Sequence, residues 1–211
     1  MTIVYREVKG SPLTWPELDG NFADLAARTS LSWSQIGGEP AVREGDPNAP
    51  QQQLFRGNIY ALAYPAEQLS EAFITFDVPF DYAVGTDLMV GIHWSPGNVS
   101  STGNVRFGLE FTYAWSYGPD GASNIFGPTN TVYINASQAD GTPYMSYINF
   151  NDPANNFPAS AVQQNMRFLV RVFRDGTNVG DTFPESVFIV GTDFFYQTNK
   201  FGTATKVPPF V

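Results

Sequence analysis

Val105-Arg106-Phe107-Gly108-Leu109-Glu110-Phe111-Thr112-Tyr113-Ala114-Trp115 decides the fold. Phe107, Leu109, Phe111, Tyr113 and Trp115 fall on one side of an extended chain, and Gly108, Glu110, Thr112 and Ala114 on the other. A two-residue apolar period belongs to a strand with one face on a core. Met166, Phe168, Val170 and Val172 alternate in the same way with Arg167, Leu169, Arg171 and Phe173. With 104–115 and 166–175, the runs 54–64, 71–78, 86–94, 129–137, 143–151 and 186–196 make eight strand-like segments. Turn chemistry separates them at Ser95-Pro96-Gly97-Asn98, Pro119-Asp120-Gly121, Asp140-Gly141 and Asp175-Gly176. Eight short strands with no helix between them predict a mainly β, antiparallel, jelly-roll-like sandwich over 54–211.

Upstream of this module the pattern changes. Thr14 and Glu17 have capping-box spacing, and Pro16 falls in the first turn, where a missing N–H does no harm. Trp15, Leu18, Phe22 and Leu25 then recur at helical spacing as one apolar stripe. The helix this predicts, about 14 residues long, is too short to stand alone in water, so the stripe needs a docking partner. Residues 1–34 form this N-terminal helical segment. Residues 35–53 hold three prolines, three glycines and few apolar side chains; they read as a linker or arm, able to reach roughly 60 Å if extended. In the last strand Val187, Ile189 and Phe195 share one parity, and Phe188, Val190, Phe194 and Tyr196 the other. A strand apolar on both faces is covered on both, which makes Phe188, Val190, Phe194 and Tyr196 candidates for an oligomer interface unless the chain's own arm covers them.

Composition removes several functions. The 211 residues include no cysteine and one histidine, so no disulfide, thiolate metal site or thiol nucleophile is available. Eleven basic against 20 acidic residues give a net charge of -9, the wrong sign for a phosphate backbone. No apolar run is long enough to span a membrane, and Met1–Gly10 lacks the charge and apolar stretch of a secretion signal. The chain reads as assembled in a cytoplasm, without nucleic acid and without membrane insertion.

Catalytic candidates are sparse. His93 could serve as a base or a metal ligand; the plainer reading is a histidine hydrogen-bonded at a strand end. Glu110 could be half of a carboxylate pair with Asp193; the plainer reading pairs it with a strand arginine, Arg106, Arg167 or Arg171. Asp120, Asp140, Asp152, Asp175 and Asp181 lie in loops, but none forms a calcium-loop run. The expectation is no catalytic residue, no metal and no cofactor. Trp115, Tyr117, Tyr144, Tyr147 and Phe157, in or beside loops, could contact a receptor, since aromatics offer large contact area at low entropy cost.

Lys9-Gly10-Ser11-Pro12-Leu13-Thr14-Trp15-Pro16-Glu17-Leu18-Asp19-Gly20-Asn21-Phe22-Ala23-Asp24-Leu25 resembles a segment near the N-termini of tailed-bacteriophage tail-fibre and other virion proteins. Gly91-Ile92-His93-Trp94-Ser95-Pro96, Val105 to Phe111, Val172-Phe173-Arg174-Asp175, Asp181-Thr182-Phe183 and Asp193-Phe194-Phe195-Tyr196-Gln197 resemble a family of phage virion proteins, which often has His where Phe195 stands. The resemblance implies a structural or attachment protein of a phage particle, not an enzyme, located in the virion and held through 1–34 by other virion structural proteins. It further implies a tail fibre or tail-tip homotrimer that displays its sandwich, with a host surface glycan or protein as a further partner. Two alternatives stay open: a capsid decoration or head-fibre protein of the same fold, and a lectin-like module that binds host glycan.

Overall fold

The computed structural model describes residues 11–28, 32–97, 101–115, 130–137, 144–149 and 162–198. The first element among the described residues is helix α1 (Trp15–Arg28). The Thr14 amide and hydroxyl both donate to the Glu17 carboxylate, at 2.7 and 2.8 Å, and the Leu18 amide closes the first turn on the Thr14 carbonyl. Ten strands follow among the described residues: β1 (Ser32–Gly38), β2 (Gln51–Arg56), β3 (Ile59–Tyr64), β4 (Leu69–Asp77), β5 (Leu88–Pro96), β6 (Asn104–Trp115), β7 (Asn130–Ser137), β8 (Tyr144–Asn149), β9 (Met166–Asp175) and β10 (Val187–Thr198).

All pairings between these strands are antiparallel, and they form two sheets. Sheet A runs β2-β3-β10-β5-β8, with β1 also on β10; sheet B runs β4-β9-β6-β7. Setting β1 and β2 aside, the orders β3-β10-β5-β8 and β4-β9-β6-β7 are those of two interlocked Greek keys, a jelly roll. The core lies between the sheets. Leu88, Val90, Ile92 and Trp94 of β5 face Val105, Phe107, Leu109 and Phe111 of β6, all of them buried. Trp94 meets Phe107 edge-on across the gap at 5.4 Å between ring centroids. Each such side chain contributes about 1.5–3 kcal/mol by leaving water, which is why the alternating runs settle with their apolar parity inward.

Three sequence expectations change here. The run 54–64 is a hairpin, β2–β3, turned at Gly57-Asn58; Gly57 sits at φ +57°, which a two-residue hairpin turn requires of its first residue. The segment 35–53 is no free linker. It begins inside β1, whose residues Ser32–Gly38 pair with Thr198–Thr192 of β10. It then crosses to sheet B, where Ala41 bridges Phe73 and the Asn48 carbonyl accepts the Glu71 amide, and returns to sheet A as β2. The sandwich therefore starts at β1, before residue 54, and its own arm straps the two sheets together.

The third change concerns β10. Its register on β5 shifts between Ile189 and Gly191, a bulge that inserts Val190 and reverses side-chain parity downstream. Val187 and Ile189 point inward before the bulge, and Phe194 and Tyr196 after it. Phe194 is 1 % and Tyr196 6 % exposed, so neither is available as an oligomer contact. Phe188 is covered by Phe55 of β2 at 5.1 Å. Of the four proposed interface residues Val190 alone is exposed, at 47 %. The two-faced pattern arises mainly from a bulge within one strand; Phe188 alone of the four is buried on the outer face, where Phe55 covers it.

Candidate functional site

A titratable pair lies on the outer face of sheet A. His93 of β5 lies opposite Gly191, and Asp193 of β10 opposite Gly91. With glycine at both directly opposed positions, the two side chains meet on the diagonal, His93 Nε2 to Asp193 Oδ2 at 2.5 Å. The pair is partly exposed, 37 % for His93 and 17 % for Asp193. Two residues along the strand, Ser95 is buried and its Oγ is directed to the neighbouring Pro96 carbonyl. The dyad can orient an imidazole or exchange a proton; its Nδ1 is the nitrogen not committed to Asp193.

Asp193 does not pair with Glu110. Glu110 is on the outer face of sheet B, so the full thickness of a sandwich whose sheets pack about 10 Å apart separates them. A carboxylate pair for glycoside hydrolysis is excluded for these two acids. Glu110 instead bonds Arg171 through Oε2 at 2.7 Å, and Arg171 also holds the buried Glu71. The Arg171 guanidinium lies over the Phe173 ring at 4.3 Å, and Phe173 in turn covers Gly108, where a β-carbon would fall within 2.3 Å of the ring. Attraction to the two carboxylates strengthens the proton hold of Arg171, although desolvation, the largest influence on it, acts the other way.

The outer face of sheet B is a regular grid. Register aligns Thr75, Leu169 and Thr112 in one row across β4, β9 and β6, and Phe73, Arg171 and Glu110 in the next. These six residues line a shallow cavity of about 390 Å³. Leu169 forms its exposed floor. A second cavity, of about 510 Å³, lies beside the β2–β3 hairpin against Val190, where Leu54, Ile59 and Tyr60 are exposed.

The largest polar feature is structural. Arg174, at an inward position near the end of β9, is fully buried. Its Nε and Nη2 grip Asp181 at 2.9 and 2.7 Å. Nη1 donates to the Tyr64 and Glu185 carbonyls and Nη2 to that of Phe183. All five donors of the fork are used, and Tyr64 belongs to sheet A, so this one side chain ties the two sheets together. Asp181 also accepts the Arg106 amide at 2.9 Å, and Asp175 faces Arg106 Nε at 3.7 Å. Both loop aspartates thus have cationic partners. Among the described residues no group of three or more His, Asp or Glu is placed to hold a metal ion.

No family model and no curated protein matches this chain. Solved structures give a distant likeness. One is dimeric latent PorU from Porphyromonas gingivalis, at 10 % identity and a TM-score of 0.36 over 80 % of this chain and 13 % of that one. Another is TmCBM61 in complex with β-1,4-galactotriose, at 13 % identity and a TM-score of 0.28 over 80 % and 88 %. The chain thus spans about an eighth of the length of PorU.

The remaining sequence candidates are placed as follows. Trp15 and Phe22 of α1 are 77 % and 61 % exposed, and Leu18 is half-buried; the side chain of Leu25 lies outside the described residues. Trp115 ends β6, and Tyr144 and Tyr147 are on β8, with side chains outside the described residues. Tyr117, Phe157, Asp120, Asp140 and Asp152 lie outside them entirely. The sequence reading missed Arg174 and the His93–Asp193 contact. The signal for the first was a charged residue at the inward parity of an otherwise apolar strand. For the second it was the glycines at 91 and 191, whose alignment requires the register.

Proposed function

We propose that the chain is a non-enzymatic structural protein of a tailed-phage virion, anchored by α1 and displaying the jelly roll. The observation that carries this reading is the contrast between the two parts. The sandwich closes its own core, while α1 presents Trp15 and Phe22 to solvent. A 14-residue helix gains its stability from packing an apolar face, so this stripe is built for a partner. The Gly10-Ser11-Pro12-Leu13-Thr14 to Asn21-Phe22 segment resembles tail-fibre N-termini; this supports another virion protein as the partner and favours the tail over capsid decoration. Since Phe194 and Tyr196 are core residues, any homotrimer is held by α1 and by the exposed hairpin around Ile59 and Tyr60, not by the face of β10.

The ion pairs support a structural role. Glu71, Glu110, Asp77 and Asp181 each have an arginine partner, so these four acids are held as ion pairs. Phe22→Asp tests the anchor: the variant sandwich keeps the wild-type melting temperature, while purified particles lose the protein. Particles that retain the variant at full occupancy would refute the anchoring role. A second reading, a lectin-like module that contacts host glycan, is favoured by the mixed polar and apolar cavity on sheet B.

A further inference from the structure

We infer that the cavity on the outer face of sheet B, floored by Leu169 and bounded by Thr75, Thr112, Phe73, Arg171 and Glu110, is a binding site for a neutral saccharide. The inference rests on the lectin-like reading and gives it a site and a ligand class. The Glu71 carboxylate holds the Arg171 guanidinium from one side, so the fork is fixed before any ligand arrives. Glu110 touches that fork through Oε2 alone, and its side chain is 34 % exposed, so among the described residues Oε1 is left as an acceptor. Arg171 Nη1 has two N–H donors and gives one to Glu110. An acceptor and a donor side by side on rigid strands match a sugar hydroxyl, which both donates and accepts.

The adjoining row supplies the other half of the chemistry. Leu169 is 38 % exposed, directly between Thr75 and Thr112. An apolar floor between two threonines suits the C–H face of a pyranose with its hydroxyls at the rim, the combination of apolar lining and few placed polar groups that small-molecule sites use. The charge balance sets the ligand class. Three carboxylates, Glu71, Glu110 and Asp46, surround two guanidinia, Arg171 and Arg43, the latter 2.8 Å from Asp46, 3.9 Å from Glu71 and over the Phe73 ring, so the cluster keeps one net negative charge and disfavours phosphate, sulfate and uronate. The central guanidinium sits where a cationic ligand would have to approach Glu110. An uncharged polyol meets neither penalty. The volume, about 390 Å³, lies toward the small end of ligand sites, roughly 300–1,000 Å³, and limits the ligand to a short saccharide or the end of a longer one.

The purified full chain applied to a printed array of neutral and acidic oligosaccharides, followed by calorimetric titration with the neutral sugar retained best, tests the site. Neutral sugars bind and acidic ones do not; Leu169→Asp and Glu110→Ala each weaken binding tenfold or more at unchanged melting temperature. Thr75→Lys, at an exposed position outside the ion-pair cluster, does the same by filling the cavity and keeps the test decisive should either of the others fold poorly. Retention of acidic sugars in preference to neutral ones overturns the ligand class. Binding that survives all three changes overturns the site but leaves the lectin-like reading standing. An array that retains no neutral sugar overturns both.

Discussion

Replacing Arg174 with methionine should destabilise the sandwich more than any other single change of a charged residue among those described. Methionine fills much of the same volume without the charge, so cavity formation contributes little and the polar loss dominates. Five hydrogen bonds disappear. The Asp181 carboxylate, 1 % exposed, is left with the Arg106 amide, and three carbonyls lose a donor. Removing one member of a buried ion pair costs about 3–5 kcal/mol. For a chain of this length each kcal/mol moves the melting temperature by about 2–4 °C, so the expected drop is about 6–20 °C. Urea unfolding followed by tryptophan fluorescence should show a lower midpoint at unchanged slope. Asp181→Leu should also destabilise, and the double variant should lose less than the two singles combined, with a coupling of about 1–3 kcal/mol. A drop below about 2 °C for Arg174→Met, or strict additivity in the double variant, would refute the clamp.

Phe194→Ala should cost about 3–5 kcal/mol, as for a core phenylalanine, and leave the solution mass unchanged; a changed mass with intact stability would return Phe194 to an interface. The Arg167 guanidinium, hydrogen-bonded to Asp77, holds that carboxyl below the ordinary aspartate range. Because the folded value is depressed, this stabilisation is present above the unfolded value, about 3.9, and is lost as pH falls through the folded one. The pair is about half exposed, so solvent screening keeps its contribution small. Arg167→Gln should move the Asp77 titration, followed by NMR, back toward the ordinary range, and an unmoved titration would count against the pair. The Tyr64 hydroxyl is buried with no hydrogen-bond partner among the described residues, and burial pushes its pKa up. Tyr64→Phe should therefore leave stability unchanged or raise it by about 1 kcal/mol; a loss of that size would show that the hydroxyl has a bonding role.

Legibility in the sequence followed how locally each feature is determined. β6 and β9 announce themselves because each has one face on the core and one outside it, and their parity is unbroken. β1, Ser-Trp-Ser-Gln-Ile-Gly-Gly, has no apolar alternation; it is a strand because β10 offers an open edge, which is a tertiary cause. The β2–β3 turn was hidden because Gly57-Asn58 lies between two apolar runs that read as one. In β10 the sequence shows apolar residues of both parities, and a bulge produces the same pattern as a doubly buried strand. Gly191, next to the bulge, was the one local clue. The candidate cavity depended on register more than on composition. Leu169, Thr112 and Glu110 are each unremarkable alone, and pairing with β9 sets them side by side. The Glu110–Arg171 pair was within reach of sequence, because both occupy outward positions on good strands, whereas which arginine it meets was not.

Any load applied through α1 reaches the sandwich through β1, which begins four residues after Arg28. β1 runs antiparallel to β10, and its first residue, Ser32, pairs with Thr198. A pull perpendicular to the strand would unzip the seven paired positions in sequence, Ser32 first, each bearing the force alone. A pull along the strand would load all of them in shear at once, together with Ile36 where it packs on the core. The joint is therefore strong in one direction and weak in the other, and beyond it the crossing to β4 at Ala41 provides a second stop. For a module carried on a helix, the mounting angle would set how much force the attachment withstands.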